Sequence, residues 1–240
     1  MTDFKKTNWA NPEFARGYRD TADIFIVDRG RMFSILQSLY LHFVSDGSAK
    51  KVLDLGCGDG IVTSSIARVD NSISATLVDG SEDMLRKAKE RLRGLKKAQY
   101  ISLSFQEMIR GNLIHGTFDF IASSLAIHHL SMTEKKALFK TIYQLLNPGG
   151  SFVNIDVVLA PSGPLEQWYL SLWKDWIAER TWDLGIAGGT FKDIARQYKD
   201  AEENKPDTLM DQFDALTSIG FKDVDCYYKH GIFTVYGGRK

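Results

Sequence analysis

Cysteine is scarce in this 240-residue chain: there are two, Cys57 and Cys226. Two thiols so far apart form neither a disulfide framework nor a CxxC clip, so no metal site is expected. No apolar run approaches the ~20 residues that a membrane helix needs. The opening MTDFKKTNWANPEF lacks the apolar core of a secretory signal. The expectation is a soluble, cytoplasmic protein with no membrane partner. Charge of one sign is also missing, with 30 Lys plus Arg against 30 Asp plus Glu. A balanced chain is poorly suited to neutralising many phosphates, which makes a nucleic-acid partner disfavoured. What is present is a 44% hydrophobic composition at 27.1 kDa, enough for one large domain carrying an insertion.

Short apolar runs alternate with amphipathic stretches, the pattern of βα units on a mainly parallel sheet. Strands are predicted at 51–55, 73–78, 100–105, 118–123 and 151–158, with helices at 61–68, from Ser81 to Gly94, and at 133–146. A late pair, 224–228 and 232–236, reads as a hairpin. The fold expected is α/β: a doubly wound, seven-stranded, Rossmann-like sheet with one antiparallel edge strand. Residues 1–45 read as an N-terminal helical lid, with Phe25, Met32, Ile35, Leu36, Leu39 and Phe43 spaced for one face. Residues 46–240 form the main domain, with a helical insertion at about 160–219. That insertion holds Trp168, Trp173, Trp176 and Trp182, four of the five tryptophans, and serves either as an aromatic core or as an acceptor-pocket wall.

The strongest local signal is Val52-Leu53-Asp54-Leu55-Gly56-Cys57-Gly58-Asp59-Gly60, a strand running into a glycine loop. Glycines there let the backbone turn tightly and approach a ligand. Asp79 ends the next strand, 21 residues beyond Gly58, where an acid receives ribose hydroxyls. The pair predicts an adenosine-type ligand. The third glycine of a dinucleotide fingerprint would fall on Ile61, and no G-x-x-x-x-G-K-[ST] phosphate loop occurs. Asp54 and Asp59 oppose a pyrophosphate and suit a cationic ligand. S-adenosylmethionine, with an ammonium, a sulfonium and no phosphate, fits better than NAD, which keeps only the glycine pattern in its favour.

These residues resemble motif I of the class I S-adenosylmethionine-dependent methyltransferases. Leu77-Val78-Asp79-Gly80-Ser81 with Met84-Leu85 is similar to their second motif. The run Phe118 to Leu130 resembles their fourth-strand motif, and Leu145-Leu146-Asn147-Pro148-Gly149-Gly150 the loop before strand five. The resemblance implies that Asp54, Gly56 and Gly58 hold the methionine part of S-adenosyl-L-methionine. It implies Asp79 at the ribose, Gly80 beside it among the cofactor-binding residues, Met84 against the adenine, and Ser123 beside the methionine chain. Ser104 and Phe105 stand where relatives carry an acid and a backbone contact to the adenine; serine departs from that pattern, leaving the backbone or Gln106.

His128 and His129 follow strand four at the edge where the methyl group would point, and histidine takes a proton near neutral pH. The segment resembles phosphoethanolamine methyltransferases, whose histidine works with an N-terminal tyrosine. His129 is therefore the candidate base, with Tyr18 the nearest tyrosine. The segment Phe14 to Arg19 resembles the lid helix of small-molecule methyltransferases, in which a tyrosine or arginine reaches the ligand's carboxylate. Tyr18, Arg16, Arg19, Arg29 and Arg31 are candidates that the sequence does not rank. No two prolines are adjacent, so the Asn/Asp-Pro-Pro-Tyr signature of amino-methylating enzymes is absent. The reading is an enzyme that passes a methyl group to a small-molecule acceptor by in-line displacement. The acceptor is expected between the lid and the Trp168–Trp182 region. Two alternatives stand beside it: a cofactor-modifying enzyme resembling carboxy-S-adenosylmethionine synthases, and a non-catalytic S-adenosylmethionine-binding protein. The oligomeric state is open, a homodimer included.

Overall fold

The computed structural model describes residues 4, 7–111, 113–186, 191 and 193–240. Seven strands form one sheet: β1 (Lys51–Leu55), β2 (Ser74–Asp79), β3 (Ala98–Ser102), β4 (Phe118–Ser124), β5 (Leu146–Val157), β6 (Lys222–His230) and β7 (Phe233–Arg239). Their order is β3-β2-β1-β4-β5-β7-β6. The expected doubly wound sheet is there, with β1 paired in parallel to both β2 and β4.

Three details differ from the sequence reading, the first being that β5 already begins at Leu146, so that 147–150, read as the loop before strand five, belong to the strand itself. The antiparallel strand β7 is not at the edge; it lies between β5 and β6. The hairpin after β6 folds the chain back inward, which gives the apolar β7 a neighbour on each side and leaves the more polar β6 outermost. The third strand ends at Ser102, because Ser104 caps a helix, α5 (Phe105–Arg110), in a reciprocal capping box with Glu107.

Alternation along the strands builds two cores. Val52, Leu77, Phe120, Ala122 and Val153 face one cluster with α2 (Arg29–Phe43), α3 (Ile61–Val69) and α4 (Glu82–Arg91). Leu53, Leu55, Ile121 and Phe152 face the other, with α5, α6 (Met132–Leu145) and α9 (Leu209–Ile219). Strands buried on both faces need near-continuous hydrophobicity, which is why these read as apolar runs. Ser81 caps α4 by accepting the Met84 N–H, as expected.

Two helices, α1 (Pro12–Phe25) and α2, cover 12–43. The buried stripe of α2 is Met32, Leu36 and Tyr40, whereas Phe43 is exposed, since the helix ends there. In the insertion, α7 (Gly163–Asp183) and α8 (Ile194–Asp200) precede α9. Trp173 is buried and its indole N–H donates to the Phe25 carbonyl at 2.6 Å. Trp168 and Trp182 are 55% and 84% exposed, so α7 packs through one face only. Among the described residues no helix is long and apolar enough to cross a membrane.

Candidate active site

Strand order reverses at β1, and loops leaving neighbouring strands there diverge into a crevice. The crevice is a cavity of about 260 Å³. The loop after β1 contributes Gly56 to Asp59, the loop after β2 Asp79 to Ser81, and the loop after β3 Leu103 to Gln106. Ser124 to Ala126 and His129 follow β4, while Tyr18 and Arg19 reach in from α1. Phe4, Thr7 and Trp9 close it from the N-terminal segment, and Glu203 from the insertion.

The glycine loop has the conformation its composition suggested. Gly56, Gly58 and Gly60 have φ of +60°, +52° and +77°. A Cβ on Gly56 would stand 2.5 Å from that of Ala126, so a side chain there would force the β1 and β4 loops apart. Asp79 fixes this loop and the next: its carboxylate accepts the N–H of Gly58 and of Ser81, each at 2.8 Å. Burial pushes the Asp79 carboxyl upward, and those two N–H groups partly counter it. Each oxygen keeps a second lone pair, and Asp79 lines the cavity.

Asp54 and Ser123 lie behind the wall instead of on it. Asp54 accepts the Thr63 N–H and hydroxyl at 3.1 and 2.7 Å, tying the glycine loop to α3. Its other oxygen is buried without a partner among the described residues, and burial raises its pKa to about 7. Ser123 donates to the Leu55 carbonyl at 2.8 Å and is fully buried, so the position beside the cavity passes to Ser124. Gly80, Met84, Ser104 and Phe105 all line the cavity, although the Ser104 hydroxyl is engaged by Glu107. Next to them, Leu125 takes a left-handed φ of +52°, a conformation that costs about 1–3 kcal/mol in a leucine.

The histidine pair divides its work. Both belong to a 3-10 turn, Ile127–His129, after β4. His128 is buried, with Nδ1 2.6 Å from Asp156 and its backbone N–H on the same carboxylate at 3.0 Å, which anchors the turn. His129 lines the cavity, and its Nδ1 lies 3.3 Å from the Glu203 carbonyl. A carbonyl only accepts, so Nδ1 carries the proton and Nε2 presents a lone pair. Burial, then the neighbouring His128, hold the His129 pKa well below 6.5, which keeps the ring neutral at physiological pH. Tyr18 is driven the other way, to about 12, mainly by burial, and stays a phenol.

Of the four candidate arginines, Arg19 and Arg29 line the cavity and Arg16 and Arg31 do not. Arg29 is paired with Asp23 at 2.7 Å; Arg19 is held loosely, 3.4 Å from Asp83 and 3.4 Å from the Met84 sulfur. None of Trp168, Trp173, Trp176 and Trp182 touches the cavity, which corrects the expectation of an acceptor wall there. Trp9 does line the cavity, edge-on to Tyr18 at 4.9 Å between ring centres and 5.5 Å from His129. Sequence reasoning missed Trp9, Glu203 and Arg91. Trp9 precedes the first helix and has no periodic context, and Glu203 sits in a loop on which no pattern bears.

The sheet order, the glycine loop after β1 and the acid after β2 are together the fold of the class I S-adenosylmethionine-dependent methyltransferases. Residues 52–150 match the family described as Methyltransferase domain. The carboxy-S-adenosyl-L-methionine synthase of Shewanella oneidensis is 29% identical over 186 residues, covering 75% of this chain and 71% of that one. An O-methyltransferase family protein from Burkholderia thailandensis superposes with a TM-score of 0.69 at 13% identity, over 98% of this chain and 62% of that one. The chain thus spans about three fifths of that structure's length. Magnesium protoporphyrin IX methyltransferase from Synechocystis PCC 6803, solved with bound S-adenosylhomocysteine, has a TM-score of 0.65 at 13% identity, over 97% of this chain and 96% of that one.

Proposed function

We propose that the protein binds S-adenosylmethionine in the crevice beside β1 and transfers its methyl group to a small-molecule acceptor. The observation that carries this reading is the convergence of three parts on one cavity: the left-handed glycine loop, Asp79 and the neutral His129. Asp79 would take the ribose hydroxyls on its free lone pairs, and Met84 and Phe105 would flank the adenine. Gly56 and Gly58 let the backbone approach the methionine part, with Asp54 acting through the loop it anchors. Arg19, loosely paired, and the protonated Tyr18 would receive the methionine carboxylate. The bound cofactor supplies a methyl group already activated on a sulfonium, so positioning supplies much of the acceleration. His129 Nε2 accepts the acceptor's proton. The segment carrying Phe4, Thr7 and Trp9, together with α1, serves as the lid that excludes water.

A second reading is favoured by the relatives named carboxy-S-adenosyl-L-methionine synthase. Against it, Arg29 and Arg91 in the cavity are already paired with Asp23 and Asp59, so among the described arginines of the cavity Arg19 alone is loosely held for two carboxylates. Titration calorimetry with S-adenosylmethionine, S-adenosylhomocysteine and NADH tests the cofactor. Micromolar binding of the sulfur ligands and none of NADH is expected, and NADH binding alone would overturn the reading. Asp79→Ala should weaken S-adenosylmethionine by about 1–3 kcal/mol, the loss of charge-assisted hydrogen bonds. Mass spectrometry of the cofactor after turnover separates the two enzyme readings, since only one leaves a carboxylated product.

A further inference from the structure

Resting on the methyl-transfer reading, the cavity also says what kind of atom receives the methyl group. Two residues that line it each carry a buried polar atom with no hydrogen-bond partner among the described residues: Trp9 its indole Nε1 and His129 its Nε2. They belong to rings whose centres are 5.5 Å apart. Trp9 Nε1 is a donor only. His129 Nε2 is an acceptor only, because Nδ1 spends its proton on the Glu203 carbonyl. A buried donor and a buried acceptor left unpaired on neighbouring rings are each costly, and one group that both accepts and donates relieves both.

We propose that this group is the hydroxyl of an uncharged phenolic acceptor, held between Trp9 and His129. A hydroxyl has one proton and two lone pairs. The proton goes to His129 Nε2, one lone pair accepts the Trp9 N–H, and the other remains free to attack. A neutral amine has a single lone pair, which cannot both accept from Trp9 and attack. A carboxylate has no proton to offer, and it would meet an acceptor lone pair on His129. The charges of the described lining agree: Arg29 and Arg91 are paired with Asp23 and Asp59, Arg19 lies beside Asp83 and is given to the methionine carboxylate, and Asp79 and Glu203 add negative charge to the wall. An aromatic ring suits the lining of Trp9, Tyr18, Phe4 and Leu125. A phenol, with a pKa of about 10, also yields its proton to a weak imidazole base far more readily than an aliphatic alcohol does. In the step, the O–CH3 bond forms as the S–CH3 bond breaks. The breaking bond's electron pair goes to sulfur, giving S-adenosylhomocysteine, and the hydroxyl proton passes to His129 and then to solvent.

The test uses one ring system in three forms, 1-naphthol, 1-naphthylamine and 1-naphthoate, with the full chain. Calorimetry first establishes S-adenosylhomocysteine binding; failure there removes the methyl-transfer reading itself. With that complex formed, 1-naphthol should bind at least tenfold more tightly than 1-naphthoate. With S-adenosylmethionine it should be methylated at least tenfold faster than 1-naphthylamine. Trp9→Phe keeps the ring and removes the N–H, so kcat/KM for 1-naphthol should fall about three- to tenfold with cofactor affinity unchanged. The proposal is overturned if no naphthalene probe binds the complex, if the amine or the carboxylate matches the phenol, or if Trp9→Phe leaves kcat/KM intact.

Discussion

His129 shows how a residue's chemistry follows from its neighbours. Its tautomer is set by one backbone carbonyl and its neutrality by burial beside His128. His129→Gln, which keeps a polar side chain but no titratable base, should lower kcat about 10²–10⁴-fold for an acceptor that loses a proton. Cofactor affinity, read by calorimetry, should not move. Because the pKa is depressed, activity should hold through neutrality and fall only on a limb well below pH 6.5. A rate profile with that limb at or above pH 6.5 would contradict the assignment. The residue scale is also where the sequence was least informative. Gly56, Gly58 and Asp79 were legible because backbone chirality and strand ends dictate them. Trp9 and Glu203 were not, since they meet His129 only after 120 and 74 residues of intervening chain have folded. The arginines could not be ranked by sequence because exposure on a helix depends on what packs against it.

Among the elements, the strands and the helices that cover them were legible from apolar runs, caps and glycines. Errors fell where a local signal had two meanings. Ser104-Phe105 continues an apolar strand pattern and is also a good helix start, and the capping box with Glu107 decides the matter. The tryptophan-rich α7 was ambiguous for the same reason: aromatic residues build cores and pockets alike. Here α7 is a prop for α1. Trp173 is buried against Phe233 and Tyr198 and bonded to the Phe25 carbonyl. Trp173→Ala should cost about 3–5 kcal/mol of stability in denaturant unfolding, by cavity formation. Acceptor KM should stay unchanged in the folded fraction, because the side chain does not line the cavity. A raised KM without loss of stability would restore α7 to the binding site.

Across the whole molecule, balanced net charge hides opposed buried titrations. Asp54 is raised from 3.8 to about 7, so the folded state holds a proton that the unfolded chain has released. Its contribution to stability is complete below about pH 4 and is lost as pH rises through 7. His129 acts in the opposite direction: with its folded pKa depressed, stability increases as pH climbs toward 6.5. Asp54→Asn keeps an acceptor for Thr63 and removes the charge. Its Tm relative to the wild type should therefore rise between pH 4 and 8, by a few degrees at the upper end. A constant difference across that range, measured by thermal unfolding, would show that Asp54 does not titrate in the window.

Glu203 joins the two ends of the site. Its carboxylate accepts the Asn8 side-chain N–H at 2.6 Å, and its backbone carbonyl faces His129. The Phe4 ring lies against Gly80, the residue after Asp79, where a Cβ would stand 2.8 Å from it. The segment that carries Trp9 thus also roofs the end of the crevice beside Asp79. On the proposed reaction this dictates the sequence of events in each turnover: S-adenosylmethionine enters before the acceptor, and the methylated product leaves before S-adenosylhomocysteine. Steady-state inhibition by S-adenosylhomocysteine should accordingly be competitive against S-adenosylmethionine and non-competitive against the acceptor.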